Sequence, residues 1–300
     1  MVEGAAGGAP LVLHPRAKLN IVLRVLSRQQ DGYHALETLF LRLDLADRLA
    51  LWGGGRGIRL EVTGDPSVPA DATNLCWRAA ELVFRAVGQP PAVAISLDKV
   101  IPSGAGLGGG SADAAAVLHG LNALLGEPLA FHDLLVLAGE LGSDVPFALA
   151  DVDFALAWER GRRLLPLAAP PPRPVLILAP GLPIGAGEAY GWLAADRAAG
   201  SETVQERAGI LPGPGSLATW EDLRRVAGND FEGPVFRRHP ELRAARDALR
   251  AAGANPALLC GSGSCLAGVF ETQVARREIA ERLAEATGMR AIPTSAAGRG

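Results

Sequence analysis

Lysine is scarce in this chain: Lys18 and Lys99 are the only two among 29 basic residues, and every other cation is arginine. A compact ammonium and a planar guanidinium fork are not interchangeable in a tight site, so both lysines are candidates for positions that need a point charge. Cysteine is scarce as well. Cys76, Cys260 and Cys265 are odd in number and lack the spacing of a metal site or a disulfide framework, which favours reduced thiols that pack. No apolar run approaches bilayer length, and the opening MVEGAAGGAP has no cationic segment followed by an apolar one, so neither a membrane span nor a secretory signal is expected. The expected setting is the cytoplasm. A dominant charge is missing too: 29 basic against 32 acidic residues leave a net charge of -3, which gives no field for nucleic acid or an anionic membrane and points to a small-molecule partner.

What remains is an ordinary globular balance, 49% apolar and 20% charged over 300 residues, enough for one large or two ordinary domains. The stretch around which the rest is organised is KVIPSGAGLGGGSADAAA, Lys99 to Ala116. Val93, Ile95 and Leu97 alternate before it as a strand, and Ala114 through Leu125 follow it with the composition of a buried helix. Five glycines, Gly104, Gly106, Gly108, Gly109 and Gly110, remove side chains that would hold an anion away from the N–H groups of that helix start, where the dipole also favours negative charge. Ser111 adds a hydroxyl, and Asp113 a carboxylate suited to capping or to magnesium. Three other readings compete. The glycines could simply let a helix pack close to a strand. Gly104, Gly106 and Gly109 spell the dinucleotide fingerprint GxGxxG, but the downstream Glu127 lies beside Pro128 in a turn instead of ending a strand. A P-loop needs a lysine followed by Ser or Thr after the glycines, and none is there.

Around this centre, residues 17–25 alternate as a strand with the odd positions inward, so that Lys18 and Asn20 point the same way about 7 Å apart. Taken alone, that pair reads equally as the solvated face of an edge strand. Asp31-Gly32 signals a hairpin, with Tyr33 and His34 at the start of a returning strand at 36–45. Strands are expected at 48–52 and 58–62, a helix at 74–87 capped by Thr73 or Asn74, and a helix at 131–141 ended by Gly142. Asp144 reads locally as the cap of a short helix. A hairpin at 153–158 and 162–167 closes the first part, and the linker PPPRP within 168–174 divides the chain into domains 1–167 and 168–300. The second half predicts a buried strand at 174–179, a mobile polar loop at 198–215 and a helix at 241–252. A second glycine/serine turn within CGSGSCLAGVF follows, then a helix at 274–287 and a strand at 290–293. Asn229-Asp230 reads as capping or packing.

The glycine segment resembles the second motif of the GHMP kinases, the superfamily of galactokinase, homoserine kinase, mevalonate kinase and phosphomevalonate kinase, and CGSGSCLAGVF is similar to the third. AKLN followed by DGYH is similar to the first motif region of one member family, the diphosphocytidyl-methylerythritol kinases. With the motifs in order over nearly the whole chain, the resemblance implies a two-domain α+β fold, a ribosomal-S5-like N-terminal half and a ferredoxin-like C-terminal half with the active site in the cleft. The activity implied is transfer of the γ-phosphoryl group of ATP, with Mg2+ bridging phosphates, to the 2-hydroxyl of 4-diphosphocytidyl-methylerythritol in isoprenoid precursor synthesis.

By the same match Lys18 and Asp144 are catalytic, Asp144 taking the hydroxyl proton with Lys18 as its partner, and Asn20 faces the reacting hydroxyl. Tyr33 and His34 hold the cytosine and Tyr190 stacks on it. Pro102, Gly104, Ala105, Gly106, Leu107, Gly108, Gly109, Gly110, Ser111 and Ala112 wrap the triphosphate, Lys99 and Asn74 lie near the adenosine, and Gly261, Ser262, Gly263 and Ser264 close over the phosphates. The chain departs from the family at Ala112, where many members carry a second serine, and at Gly185 and Ala186, where Ser and Thr are usual. Two rivals stay in view: another GHMP kinase acting on an alcohol without a base, against which the GYH element and Tyr190 argue, and a dinucleotide-binding oxidoreductase.

Overall fold

Alternation decides the first long strand. Ala17, Leu19 and Ile21 are fully buried on one face of β2 (Arg16–Arg28), while Lys18 and Asn20 occupy the other. The computed structural model describes residues 8–28, 34–159, 163–200, 217–272 and 276–296. The expected turn at Asp31-Gly32, Tyr33 and nearly all of the expected 198–215 loop lie outside those residues.

The chain opens with β1 (Leu11–Leu13), in a segment whose composition suggests only a tail. After β2 come β3 (His34–Ala46), β4 (Arg48–Gly53), β5 (Gly57–Thr63), α1 (Leu75–Val87), β6 (Ala92–Asp98), α2 (Gly109–Leu124), α3 (Phe131–Leu141), α4 (Val145–Leu149), β7 (Phe154–Trp158) and β8 (Arg163–Pro166). One sheet runs β1-β4-β6-β5, its last pair parallel. Helices α1 and α2 cover it, with α3 packed against both, and a core built on Leu49, Leu51, Ile95, Val117 and Leu118 fills the space between. Because β6 leads through the glycine loop into α2 and then α3, with no parallel strand beyond, the doubly wound sheet of a dinucleotide domain is absent from the described residues. The dinucleotide reading of Gly104, Gly106 and Gly109 therefore fails.

Residues 168–173 carry no helix or strand, and the chain re-enters order at β9 (Pro174–Ala179). There follow α5 (Ala186–Ala198), α6 (Trp220–Val226), β10 (Gly228–Asn229), α7 (Glu232–Arg238), α8 (Pro240–Ala251), β11 (Ala257–Leu259), β12 (Leu266–Val269), α9 (Arg276–Thr287) and β13 (Arg290–Ser295). The antiparallel sheet β11-β12-β9-β13 has the strand order of a ferredoxin-like unit. Helices α5, α6 and α7 are not marked by the sequence pattern, since Gly185, Gly187 and Gly191 in and before α5 and the brevity of the other two weaken any helical periodicity.

The two halves share structure. The remaining sheet runs β10-β2-β3-β7-β8, so a two-residue strand from the second half lies parallel to β2, at the Val22 and Leu23 register. Strand β2 is thus internal, and the edge-strand reading of Lys18 and Asn20 is overturned. Its apolar face, with Leu39, Leu41 and Leu43 of β3, packs in one core with Val175, Ile177 and Ala267 of the second half and with Ile101, Ala105 and Leu107 of the glycine loop. No helix among the described residues is long and apolar enough to cross a membrane.

Candidate active site

The polar face of β2 carries a chain of hydrogen bonds. Lys18 Nζ donates to Asn20 Oδ1 at 2.6 Å, Asn20 Nδ2 donates to Thr38 Oγ1 at 2.8 Å, and Thr38 donates to the Val22 carbonyl at 2.7 Å. Every polar atom of Asn20 is therefore committed, which fixes the carboxamide and with it the direction of the lysine. The Lys18 ammonium also lies 5.4 Å from the centre of the Phe40 ring and 3.1 Å from Asp144 Oδ2. Asp144 stands at the N-cap position of α4, yet its side chain caps nothing; the carboxylate is turned to Lys18. Thr38 and Phe40, on β3, are essential to this arrangement and are not singled out by sequence pattern. Their only signal is the period of two that puts them on the same side as the residues they meet.

The glycine loop lies across β2. Its Leu107 carbonyl accepts from the Lys18 backbone N–H at 2.9 Å, and its Ala105 carbonyl accepts from Cys265 N at 3.3 Å. Ala105, Leu107 and Ala112 bury their side chains in the protein, leaving only backbone for an anion. Ala112 lines a cavity with His14 and His119. The glycines answer two demands. Gly104, Gly106 and Gly108 all have positive φ, at 63°, 80° and 71°. At Gly106 a Cβ would stand 1.7 Å from the Cys260 carbonyl oxygen, and at Gly108 2.8 Å from Cγ of Lys18. At Gly106, then, close packing of backbone on backbone is by itself a reason for glycine. Helix α2 begins at Gly108 with no side-chain cap, so its first N–H groups stay free for a ligand.

Lys99 and Asn74, expected beside adenosine, both make hydrogen bonds within the protein. The Lys99 ammonium is enclosed, donating to Asp47 Oδ2 at 2.5 Å and to Asp113 Oδ2 at 2.7 Å. Asp47 also accepts from the backbone N–H groups of Val100 and Ile101. These three charges pin both ends of the glycine loop to the β3–β4 corner. Asp113 therefore neither caps α2 nor faces the cleft. Burial pushes its carboxyl up to about 7, with Asp47 adding to the rise and Lys99 opposing it. Burial works against the Lys99 ammonium, but Asp113 and Asp47 outweigh it and hold its pKa above the usual range. Asn74 caps α1, accepting from Cys76 N at 2.8 Å and donating to the Pro69 carbonyl.

Opposite Lys18 the second half supplies the far wall. Tyr190, on α5, meets Phe231 edge to face at 4.9 Å between ring centres, and burial, with the Asp144 charge second, raises its phenol to about 12, so it is neutral at ordinary pH. Ser264 Oγ donates to the Leu182 carbonyl and is buried, whereas Gly261 and Ser262 face the cleft. A cavity of about 280 Å³ is bounded by Lys18, Asn20, Ser111, Asp144, Tyr190 and Ser262. Ala186 lines it too, so the departure from Ser or Thr there leaves a methyl group at the wall. Tyr33 lies outside the described residues, and of His34 only the backbone, at the start of β3, is described.

Two outcomes follow from this packing and charge. Gly106→Ala should lose about 1–3 kcal/mol more than Gly104→Ala, because both pay for a positive φ but only the former meets backbone, and the space beside Gly104 is open. Urea midpoints check this; equal losses would mean the turn at Cys260 yields freely. Between pH 3.8 and about 7 folded Asp113 holds a proton that the unfolded chain has released, so its contribution to stability falls as pH rises through that window. Asp113→Asn should remove that slope, and the variant's stability relative to the parent should grow from pH 4 to pH 7, read by denaturant titration at each pH. Parallel pH curves would contradict the burial argument.

Comparison with known proteins agrees with this architecture. Residues 74–154 match the GHMP kinases N terminal domain and residues 215–288 the GHMP kinases C terminal domain. The chain is 40% identical over 280 residues to the 4-diphosphocytidyl-2-C-methyl-D-erythritol kinase of Solibacter usitatus, covering 93% of this chain and 87% of that protein. To the enzyme of the same name from Thermus thermophilus it is 41% identical over 267 residues, 89% of this chain and 90% of that one. A crystal structure of 4-(cytidine 5'-diphospho)-2C-methyl-D-erythritol kinase superposes with a TM-score of 0.77 at 38% identity, over 96% of this chain and 100% of its own. A homoserine kinase from Cytophaga hutchinsonii, at 19% identity and a TM-score of 0.69 over 99% of this chain and 98% of its own, shares the fold alone. With two-domain GHMP architecture throughout and this level of identity over nine-tenths of its length, the chain belongs to the 4-diphosphocytidyl-2-C-methyl-D-erythritol kinase family.

Proposed function

We propose that the chain transfers the γ-phosphoryl group of ATP to the 2-hydroxyl of 4-diphosphocytidyl-2-C-methyl-D-erythritol, a step of isoprenoid precursor synthesis. The observation that carries this reading is the pairing of Lys18 with Asp144 at 3.1 Å in a cavity that also meets the glycine loop and Tyr190. The two partners differ in exposure. The Lys18 side chain is 8% exposed and that of Asp144 31%, so the carboxylate is the member that an incoming hydroxyl can reach.

Phosphoryl transfer asks a protein mainly for positioning and charge balance. Asp144 accepts the proton of the attacking hydroxyl at its carboxylate oxygen. Lys18, held by Asn20 and by the backbone bond to Leu107, orients that oxygen and offsets charge that develops on it. The free N–H groups at the start of α2 bind phosphate oxygens, and Gly261 and Ser262 close the opposite side. The residues present fit ATP, since an uncapped helix start lies beside a buried ammonium. Magnesium, carried in with the nucleotide, supplies neutralisation of phosphate charge; Ser111 would hold it, because Asp113 is enclosed with Lys99, and the remaining ligands of such an ion are ordinarily phosphate and water. Tyr190, backed by Phe231, gives the cytosine a flat, neutral face. Three buried free thiols and dependence on ATP support a cytoplasmic setting.

Asp144→Asn should fold normally, because no capping bond is lost, bind ATP normally, and lose on the order of a hundredfold or more in kcat. Melting temperature, nucleotide affinity and turnover of that one variant decide it; normal turnover would remove Asp144 from the chemistry. Tyr190→Ala should raise KM for the cytidylyl substrate about tenfold or more, the scale of one base–aromatic stack, while KM for ATP stays near that of the parent. Equal changes in the two constants would assign Tyr190 to packing.

A further inference from the structure

The last three residues before α7, Asn229, Asp230 and Phe231, are each tied to a different piece of the site, and the mechanism above uses only the Phe231 ring, as backing for Tyr190. Asn229 sits in β10 and is buried; its Nδ2 donates to the Leu259 carbonyl at 2.9 Å and to the Gly261 carbonyl at 2.7 Å, while its Oδ1 accepts from Phe231 N at 2.9 Å. The Asn229 amide group thus holds the near end of the turn that faces the glycine loop, and both of its donor hydrogens are spent there. Asp230 accepts from the Val25 backbone N–H at 2.8 Å and from Arg197 of α5 at 3.1 Å, and its own N–H donates to the Leu23 carbonyl. Phe231, 2% exposed, sets its ring edge to face with Tyr190 and lines the cavity. These contacts run from β2, which carries Lys18, to the closing turn in one direction and to the aromatic wall in the other.

We propose that Asn229, Asp230 and Phe231 form a positioning bracket that fixes the Gly261–Ser264 turn and the Tyr190 ring on the strand bearing Lys18, with Asn229 governing nucleotide closure and Phe231 governing recognition of the base. The division follows from geometry. Asn229 bonds to the turn, whereas Phe231 meets Tyr190 with its ring and donates its backbone N–H to Asn229 Oδ1. The acceptor at Leu259 and Gly261 is carbonyl oxygen in both cases, so the position requires a donor. An isosteric carboxylate would keep the bond from Phe231 N and turn two attractions into two repulsions between oxygen atoms. A residue that merely filled space would not distinguish the two.

The assignment of the base side rests on the proposed transfer reaction, and the test keeps the two apart by measuring binding as well as turnover. Calorimetric titration of the full chain with a non-hydrolysable ATP analogue and, separately, with cytidine diphosphate is run on the parent, Asn229→Asp and Phe231→Leu, alongside circular dichroism to establish folding. Asn229→Asp should bind the ATP analogue about tenfold more weakly and cytidine diphosphate within about twofold of the parent, as expected for the loss of two neutral hydrogen bonds at one site only. Phe231→Leu should show the reverse pattern. A folded Asn229→Asp with unchanged affinity for the analogue would overturn the bracket, and so would two variants that shift both ligands alike. Should Asn229→Asp fail to fold, Asn229→Ser, which shortens the donor without adding charge, is read by the same criteria. A parent that binds the ATP analogue but neither binds cytidine diphosphate nor transfers phosphate to the cytidylyl alcohol would refute the substrate reading while the Asn229 arm still stood.

Discussion

Backbone packed on backbone is the constraint from which the rest of the site follows. The glycine loop and the turn at Gly261 come from opposite halves of the chain, and they meet with the Gly106 α-carbon against the Cys260 carbonyl, at a distance that leaves no room for a methyl group. Such an approach gains its energy from neighbours, not from itself: the loop's Ile101, Ala105 and Leu107 are buried in the same core as Val175, Ile177 and Cys265. Apolar burial beneath holds polar backbone above. Helix α2 starts beside the loop with no side-chain cap, and the loop is held in place from below.

The chain's two lysines mark two different electrostatic solutions. Lys99 is enclosed by two carboxylates and serves as an internal tie, its charge balanced by Asp47 and Asp113 with one negative charge in excess when both are ionised. Lys18 has one carboxylate, one carboxamide and an aromatic ring around it, and its carboxylate partner opens to the cleft. Enclosure costs desolvation that only close pairing offsets, and Lys99 meets that cost with two carboxylates where Lys18 has one. Arginine would suit neither place: its fork needs a broader planar receptor than either pocket provides.

How much of this was legible depends on the range of the interaction. The helices at α1 and α3 and the strands β4, β5 and β9 follow from local period and caps, and their limits agree with the sequence to within a residue or so. The glycine loop was legible as the link between a strand and a helix, and β6 and α2 flank it as expected. What local pattern could not show was a partner far along the chain; Asp144 was set beside Lys18 only through the family resemblance, and the two lie 3.1 Å apart. Asn74, by contrast, was legible as the cap of α1, since its bonds run to Cys76 and Pro69 close by in sequence. Lys99 was conspicuous by rarity, but Asp47, the carboxylate that encloses it, lies 52 residues away in an ordinary acidic turn. Helix α5 was obscured by its glycines, and Asn229 by resembling any loop asparagine.

The parallel pairing of β10 with β2 has a temporal consequence. Val25 and Asp230, bonded to one another, are separated by 205 positions, so this contact closes one of the longest loops in the molecule. Pairings of that separation are expected late in folding, after local helices and hairpins have formed. During synthesis the strand bearing Lys18 leaves the ribosome early, yet the piece that completes its sheet emerges only when most of the chain has been made. A truncated or stalled product therefore leaves the edge of β2 at Val22 and Leu23 unpaired, and the ability to spend ATP arrives only with a nearly finished chain.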